Sequence, residues 1–270
     1  MRMPLYVLLA SILSAPAGAM LPSAPMPPSE ARPATPLILD PGHGGNDLGA
    51  VAHGVQEKDV ALAVALKLRD RLKTSIPVML TREVDEYVTL DRRVVDAVDW
   101  DGALFVSIHL NEVRSKKSTG AVVYSFGGAS ASRRNRRHHY HRRHPKVPLM
   151  PAPPQVEARD SDELASEIVA GMRSDGFRAD QAKSDFYVLK DPTHPSVLIE
   201  LGYLSNPEEA KRLADPAYQD KLADSLAKVL ATFAARRVVR IDDPAQNAVQ
   251  SAALPLPAET PAPTAATNNF

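Results

Sequence analysis

No cysteine occurs among the 270 residues. Its absence excludes disulfides, thiol catalysis and cysteine-ligated zinc, so the fold must rest on an ordinary apolar core or on a metal held by other ligands. Net charge is missing too: 32 lysines and arginines balance 32 aspartates and glutamates. Bulk charge therefore predicts no nucleic-acid or other polyanionic partner. No apolar run reaches the ~20 residues needed to span a bilayer, and no internal repeat is visible. Two catalytic signatures are also absent. The motif G-x-S-x-G does not occur, its nearest approach being GGASAS from Gly127, which removes the serine nucleophile of an α/β-hydrolase. No Lys-Ser/Thr follows the glycines around residue 44, which removes a phosphate-cradling loop.

What is present divides the chain. Residues 1–19, MRMPLYVLLASILSAPAGA, carry a basic second residue, a short apolar core and a small-residue end, the layout of a secretory signal peptide. Residues 20–36 form a Pro/Ala-rich linker, and residues 237–270 read as a disordered Pro/Ala-rich tail. The expected location is outside the cytoplasm, in the periplasm or cell envelope, with no membrane span in the mature chain. Between linker and tail, strands alternate with helices. Strands are predicted at Leu37–Asp40, Ile76–Thr81, Leu104–His109, Ala121–Phe126, Asp185–Leu189 and Val197–Leu201. Helices are predicted at Glu57–Lys73, Leu90–Val98, Asp162–Arg173, Pro207–Leu213 and Tyr218–Arg236. In the first helix Val60, Val64, Leu68 and Leu72 recur at helical spacing. The alternation predicts an α/β fold: a largely parallel six-stranded sheet flanked by helices, in a single catalytic domain over residues 37–236. An insert at about 127–157 breaks the rhythm with RRNRRHHYHRRHPK and then five prolines, a density no helix survives.

Four residues stand out against this frame. In LILDPGHGGND a buried strand ends at Asp40-Pro41, and His43 follows among three glycines. In ALFVSIHLN, His109 stands near the carboxyl end of an almost wholly apolar strand, and open α/β sheets gather their sites at that edge. Glu200 ends the apolar run Val197-Leu198-Ile199, where an unpaired carboxylate would cost several kcal/mol (roughly). A structural salt bridge to Arg82 or Arg178 is the competing explanation for it. Glu57 opens the first helix, where a carboxylate also suits the helix dipole, so capping stands beside metal binding as its role. Two histidines and one carboxylate can form a catalytic zinc set with a position left for water. A second carboxylate nearby can then serve as base and proton shuttle. His138, His139, His141 and His144 lie in the insert, His53 reads as a polar loop residue, and His194 before Pro195 reads as structural.

The stretches LILDPGHGGNDLGA, QEKDVALAVALKLRDRL, TREVDEYVTLDRR, FVSIHLN and HPSVLIELGYLSNPEEAKRL closely resemble the zinc-dependent N-acetylmuramoyl-L-alanine amidases of bacterial cell-wall cleavage. The resemblance runs in order from Leu37 to about Phe233, interrupted by the insert. It implies one Zn2+ per chain, bound by the residues matching His43, Glu57 and His109, and it carries a catalytic glutamate over to Glu200. Asn111 would neighbour the site without ligating. The implied substrate is peptidoglycan, cut between N-acetylmuramic acid and L-alanine by zinc-activated water. Two positions depart from the family pattern, Leu110 where a small residue is usual and Val122 where a glutamate is frequent. In some relatives a helix near the insert plugs the site until an activator binds. An activator protein is thus a candidate partner, and Asp162–Arg173 with Glu163 and Glu167 is the helix that would shift. A rival of another class is a cell-wall-binding module on the same fold that has lost its chemistry. Four filled site positions weigh against it.

Overall fold

Leu37–Pro41 forms strand β1, and all five of its residues are buried, as a strand covered on both faces requires. The computed structural model describes residues 35–98, 104–127, 155–190 and 194–241. The expected signal segment, nearly all of the linker, nearly all of the insert and the tail beyond 241 lie outside the described residues. After β1 come a two-stranded hairpin, β2 (Val51–Ala52) and β3 (Val55–Gln56), then α1 (Glu57–Leu72), β4 (Val78–Leu80) and α2 (Leu90–Val98). Next are β5 (Leu104–Asn111), β6 (Ala121–Phe126), α3 (Gln155–Ser174) and β7 (Ala179–Ser184). A single 3-10 turn (Tyr187–Lys190), β8 (Ser196–Tyr203), α4 (Pro207–Leu213) and α5 (Pro216–Ile241) complete the chain.

The main sheet has the strand order β4-β1-β5-β8-β6-β7. Neighbours are parallel except β6 and β8, which run antiparallel. Alternation along the strands divides the core in two. Leu37, Leu39, Val106, Ile108, Val123, Val197 and Ile199 face the larger layer, where α1, α3 and α5 supply Val64, Leu68, Ile168, Met172, Leu226 and Leu230. Ile38, Phe105, Tyr124 and Leu198 face a smaller layer made by Ala97 of α2 and by Val188 and Leu189 of the 3-10 turn. Helix α4 starts as its sequence dictates: the Asn206 side chain accepts from the N–H groups of Glu208 and Glu209, and Pro207 fills the first turn.

Several elements differ from expectation. Asp185–Leu189 is not a strand; its apolar residues turn once as a 3-10 helix and cover the smaller layer. The sixth strand is Ala179–Ser184, paired only with β6 at the sheet edge. Its ADQAKS sequence has few apolar residues because an edge strand can leave much of its surface in water. Helix α3 begins at Gln155, seven residues before the expected Asp162, and α5 runs to Ile241. Within α3, Glu163 and Glu167 face Arg236 of α5, and Leu164, Ile168 and Met172 are fully buried. This helix is thus docked in the larger core layer by both its acids and its apolar face.

Candidate metal centre

The carboxyl ends of β1 and β5 lie side by side, with Asp40 opposite Ser107 and Pro41 opposite Ile108 in register. His43 leaves the end of β1, and His109 sits near the end of β5. Glu57, only 4 % exposed, enters from the first residue of α1. One carboxylate oxygen organises the cluster: Glu57 Oε1 is 3.1 Å from His43 Nε2 and 2.9 Å from His109 Nδ1. It also accepts the N–H of Leu110 at 2.9 Å, while Oε2 accepts the N–H of Ala50 at 2.7 Å. The His43 and His109 rings meet edge to face, 4.9 Å between centroids. Ligand atoms from all three side chains lie within 4.8 Å of one another. Nitrogen and oxygen donors around a tetrahedral zinc are separated by roughly 3.3 Å, so this donor set fits such an ion. The sequence left Glu57 between capping and ligation; its carboxylate turns back to the histidines and to the backbone amides of Ala50 and Leu110.

Electrostatics agree with that fit. Burial pushes His43 down, but the Asp47 and Glu57 carboxylates outweigh it and raise its pKa to about 10. Burial pushes Glu57 up, but bonds and charge from His109 and His43 hold it well below the usual carboxylate range. The cluster is built to hold positive charge. Asp47 Oδ2 lies 3.0 Å from His43 Nδ1, off the direction of the ring N–H, so that buried nitrogen has no well-directed hydrogen bond.

Glycines serve the rings. A Cβ on Gly42 would fall 2.3 to 2.6 Å from three atoms of the His109 imidazole, and one on Gly49 would fall 2.5 Å from Glu57 Oε2. His43 itself adopts φ 58°, followed by Gly44 at 124° and Gly45 at 58°. A left-handed non-glycine residue costs about 1–2 kcal/mol, so something must hold this turn. Buried cations do. Arg82, 2 % exposed, donates to the carbonyls of Pro41, Gly42, Lys58 and Val84. Arg93, also 2 % exposed, donates to Pro41 O at 2.8 Å and His43 O at 2.7 Å. Lys58 donates to Gly45 O, and Asp85 accepts from Gly45 N–H and pairs with Lys58.

None of these supports was singled out from the sequence. Arg82 was considered there as a partner for Glu200, yet its guanidinium is committed to backbone carbonyls. The usable signal was Asp40, a carboxylate ending an apolar strand, which demands a cation nearby. Arg93 is that cation, and Thr81 and Ser107 also donate to Asp40.

Glu200, on β8, is the register partner of His109 on β5 and of Val122 on β6. Register partners on neighbouring strands share a face, so Glu200 and His109 look to the same side of the sheet, beside the cluster. Leu110 points instead into the larger core layer, which is why a bulky residue there leaves the site intact. Asn111 ends β5, and its carbonyl accepts the Leu204 N–H. His53 is exposed at the hairpin tip with φ 52°. His194 is 1 % exposed, and its carbonyl accepts from Ser196 Oγ. The histidines of the insert lie outside the described residues.

Comparison with known proteins points one way. The profile described as N-acetylmuramoyl-L-alanine amidase matches residues 37–232. The germination-specific N-acetylmuramoyl-L-alanine amidase of Bacillus subtilis is 32 % identical over 207 residues, spanning 71 % of this chain and 76 % of that protein. Among solved structures, the catalytic domain of the amidase CwlV from Bacillus (Paenibacillus) polymyxa superposes with a TM-score of 0.59 at 28 % identity. That match covers 74 % of this chain and 97 % of that domain. The CwlD amidase of Clostridioides difficile, solved in complex with the GerS lipoprotein, has a TM-score of 0.58 at 30 % identity, covering 74 % and 98 %.

Proposed function

The chain belongs to the N-acetylmuramoyl-L-alanine amidase family, and from that premise we propose that His43, Glu57 and His109 hold one zinc ion while Glu200 moves the proton. The reaction is hydrolysis of peptidoglycan at the amide between N-acetylmuramic acid and L-alanine. The observation that carries the metal assignment is the convergence of two histidine nitrogens on one buried carboxylate oxygen, which makes a set of three donors. A zinc ion bound there supplies a Lewis acid and lowers the pKa of a coordinated water to about 7. Glu57, anchored by two backbone N–H groups, stays ionised and fixed in place. Glu200, beside His109, accepts a proton from the attacking water and delivers it to the alanine nitrogen as the C–N bond breaks. The water oxygen ends in the new carboxylate on the muramic acid side, and the stem peptide leaves with a free alanine amine.

The signal-like first 19 residues support export to the envelope, where the substrate lies. Among the described residues no helix is long and apolar enough to cross a membrane. The CwlD structure in complex with the GerS lipoprotein supports a protein partner here, for which the expected activator is our candidate. Mass spectrometry of products from purified sacculi tests the reading. Stem peptides with free N-terminal alanine should appear, vanish with chelator and return with zinc. Unchanged products in chelator would remove the metal, and no products at all would leave the wall-binding module.

A further inference from the structure

We infer that Arg93 is a positioning residue for the metal centre: its guanidinium, fixed by Asp40, holds the His43 carbonyl and thereby aims the His43 ring at Glu57 and His109. The inference rests on the metal reading above, since what it assigns is the orientation of a ligand. His43 takes a backbone conformation that side chains resist, and among the described residues Arg93 is the one group that donates to its carbonyl. The other supports act on neighbours: Arg82 on Pro41 and Gly42, Lys58 and Asp85 on Gly45.

Arg93 is suited to the task by shape. Its planar fork reaches Asp40 Oδ1 and Pro41 O from Nη1, His43 O from Nη2 and Val88 O from Nε. Asp40 is 0 % exposed and also accepts from Thr81 at Oδ1 and from Ser107 at Oδ2, so the carboxylate that anchors the fork is itself held. Two strands, β1 and β5, and the chain after β4 are thus tied through one ion pair to the backbone of a ligand. A lysine could keep the charge beside Asp40, but one ammonium cannot span Asp40 and the His43 carbonyl together.

The test compares the full-length chain with Arg93→Lys, using zinc affinity by chelator competition and the visible spectrum of the cobalt-loaded protein. Zinc affinity should weaken about 10- to 100-fold, the usual cost of disturbing a group that orients a ligand, and the cobalt bands should shift. Leu68→Ala, a fully buried site in the larger core layer, is the control for lost stability. It should lower the melting temperature while leaving zinc affinity within about threefold. Arg93→Gln, which leaves Asp40 an amide partner, carries the test if the lysine variant does not fold. Unchanged affinity and spectrum in the Arg93 variant overturn the inference, as does an equal loss in Leu68→Ala. A parent protein that binds no zinc refutes the metal reading itself, and the inference falls with it.

Discussion

Replacing Gly42 by alanine isolates the contact between the histidine turn and the second histidine. Gly42 is outside the left-handed region, so alanine meets no backbone penalty there. At an open position such a change stabilises by about 0.4–1 kcal/mol through the unfolded chain. Here the new methyl would sit 2.3, 2.5 and 2.6 Å from Cε1, Nε2 and Nδ1 of His109, where ordinary contact begins at 3.4 Å. The ring or the turn must therefore retreat by about 1 Å. Misplacing a reacting group by that distance costs ~10²-fold in rate. We expect kcat/KM on a soluble muropeptide to fall ~10²-fold and zinc affinity to weaken about 10- to 100-fold. Gly176→Ala is the companion variant. It sits at φ +87° with nothing within 4 Å, so it should lose about 1–2 kcal/mol of stability to strain and keep its zinc and turnover. If Gly42→Ala retained both within threefold, the ring contact would be incidental and the argument for this glycine wrong.

Glu200→Gln should keep one zinc per chain while activity falls ~10²–10⁴-fold, the scale of general acid–base catalysis; metal analysis showing zinc lost in parallel would make Glu200 a ligand. Asp40 links stability to acid. Burial pushes its carboxyl up, but Arg93, Thr81 and Ser107 outweigh burial and hold it below the usual range. Its contribution is therefore complete above an unfolded value of about 3.9 and lost as pH falls through the lower folded value. Asp40→Asn should cost about 3–5 kcal/mol at neutral pH, as breaking a buried pair does, and flatten the acid limb of a denaturation series; parallel acid limbs would count against it. Deleting Arg133–Lys146, rich in arginine and histidine, should spare turnover of a soluble muropeptide and weaken co-sedimentation with sacculi at low salt. The difference should vanish near about 0.5 M salt through screening, and equal sedimentation at low salt would discard the adhesive role.

Much of this molecule was readable where burial writes a strong pattern. β1, β5 and β8 announce themselves as largely apolar runs, and His109 and Glu200 are conspicuous because each interrupts one. β7 was misplaced for the converse reason: its ADQAKS strand buries little, while the apolar Phe186, Val188 and Leu189 just beyond it pack without extending. The two-residue strands of the β2–β3 hairpin were too short to carry any period. The arginines holding the histidine turn were hidden differently. In TREVDEYVTLDRR no apolar run marks an inward face, and only the fold reveals that Arg82 and Arg93 point at backbone carbonyls. Asp40 was their trace, and the reasoning that singled out Glu200 applies to it equally.

The reversal of β6 decides where additions to this chain can go. Strands β1, β5 and β8 end at the reactive edge, but β6 begins there, beside Glu200, and runs away from it until Ser125 faces Val197. Four residue steps of β8, roughly 13 Å at strand rise, separate Glu200 from Ser196 at the opposite edge. Gly127 therefore departs from the rear of the sheet, and α3 starts back from that side with Glu157 and Asp160 against Arg237 near the end of α5. The molecule has a working front and a rear port. Sequence spliced between 127 and 155 thus has both its attachment points on the edge of the sheet opposite His109 and Glu200.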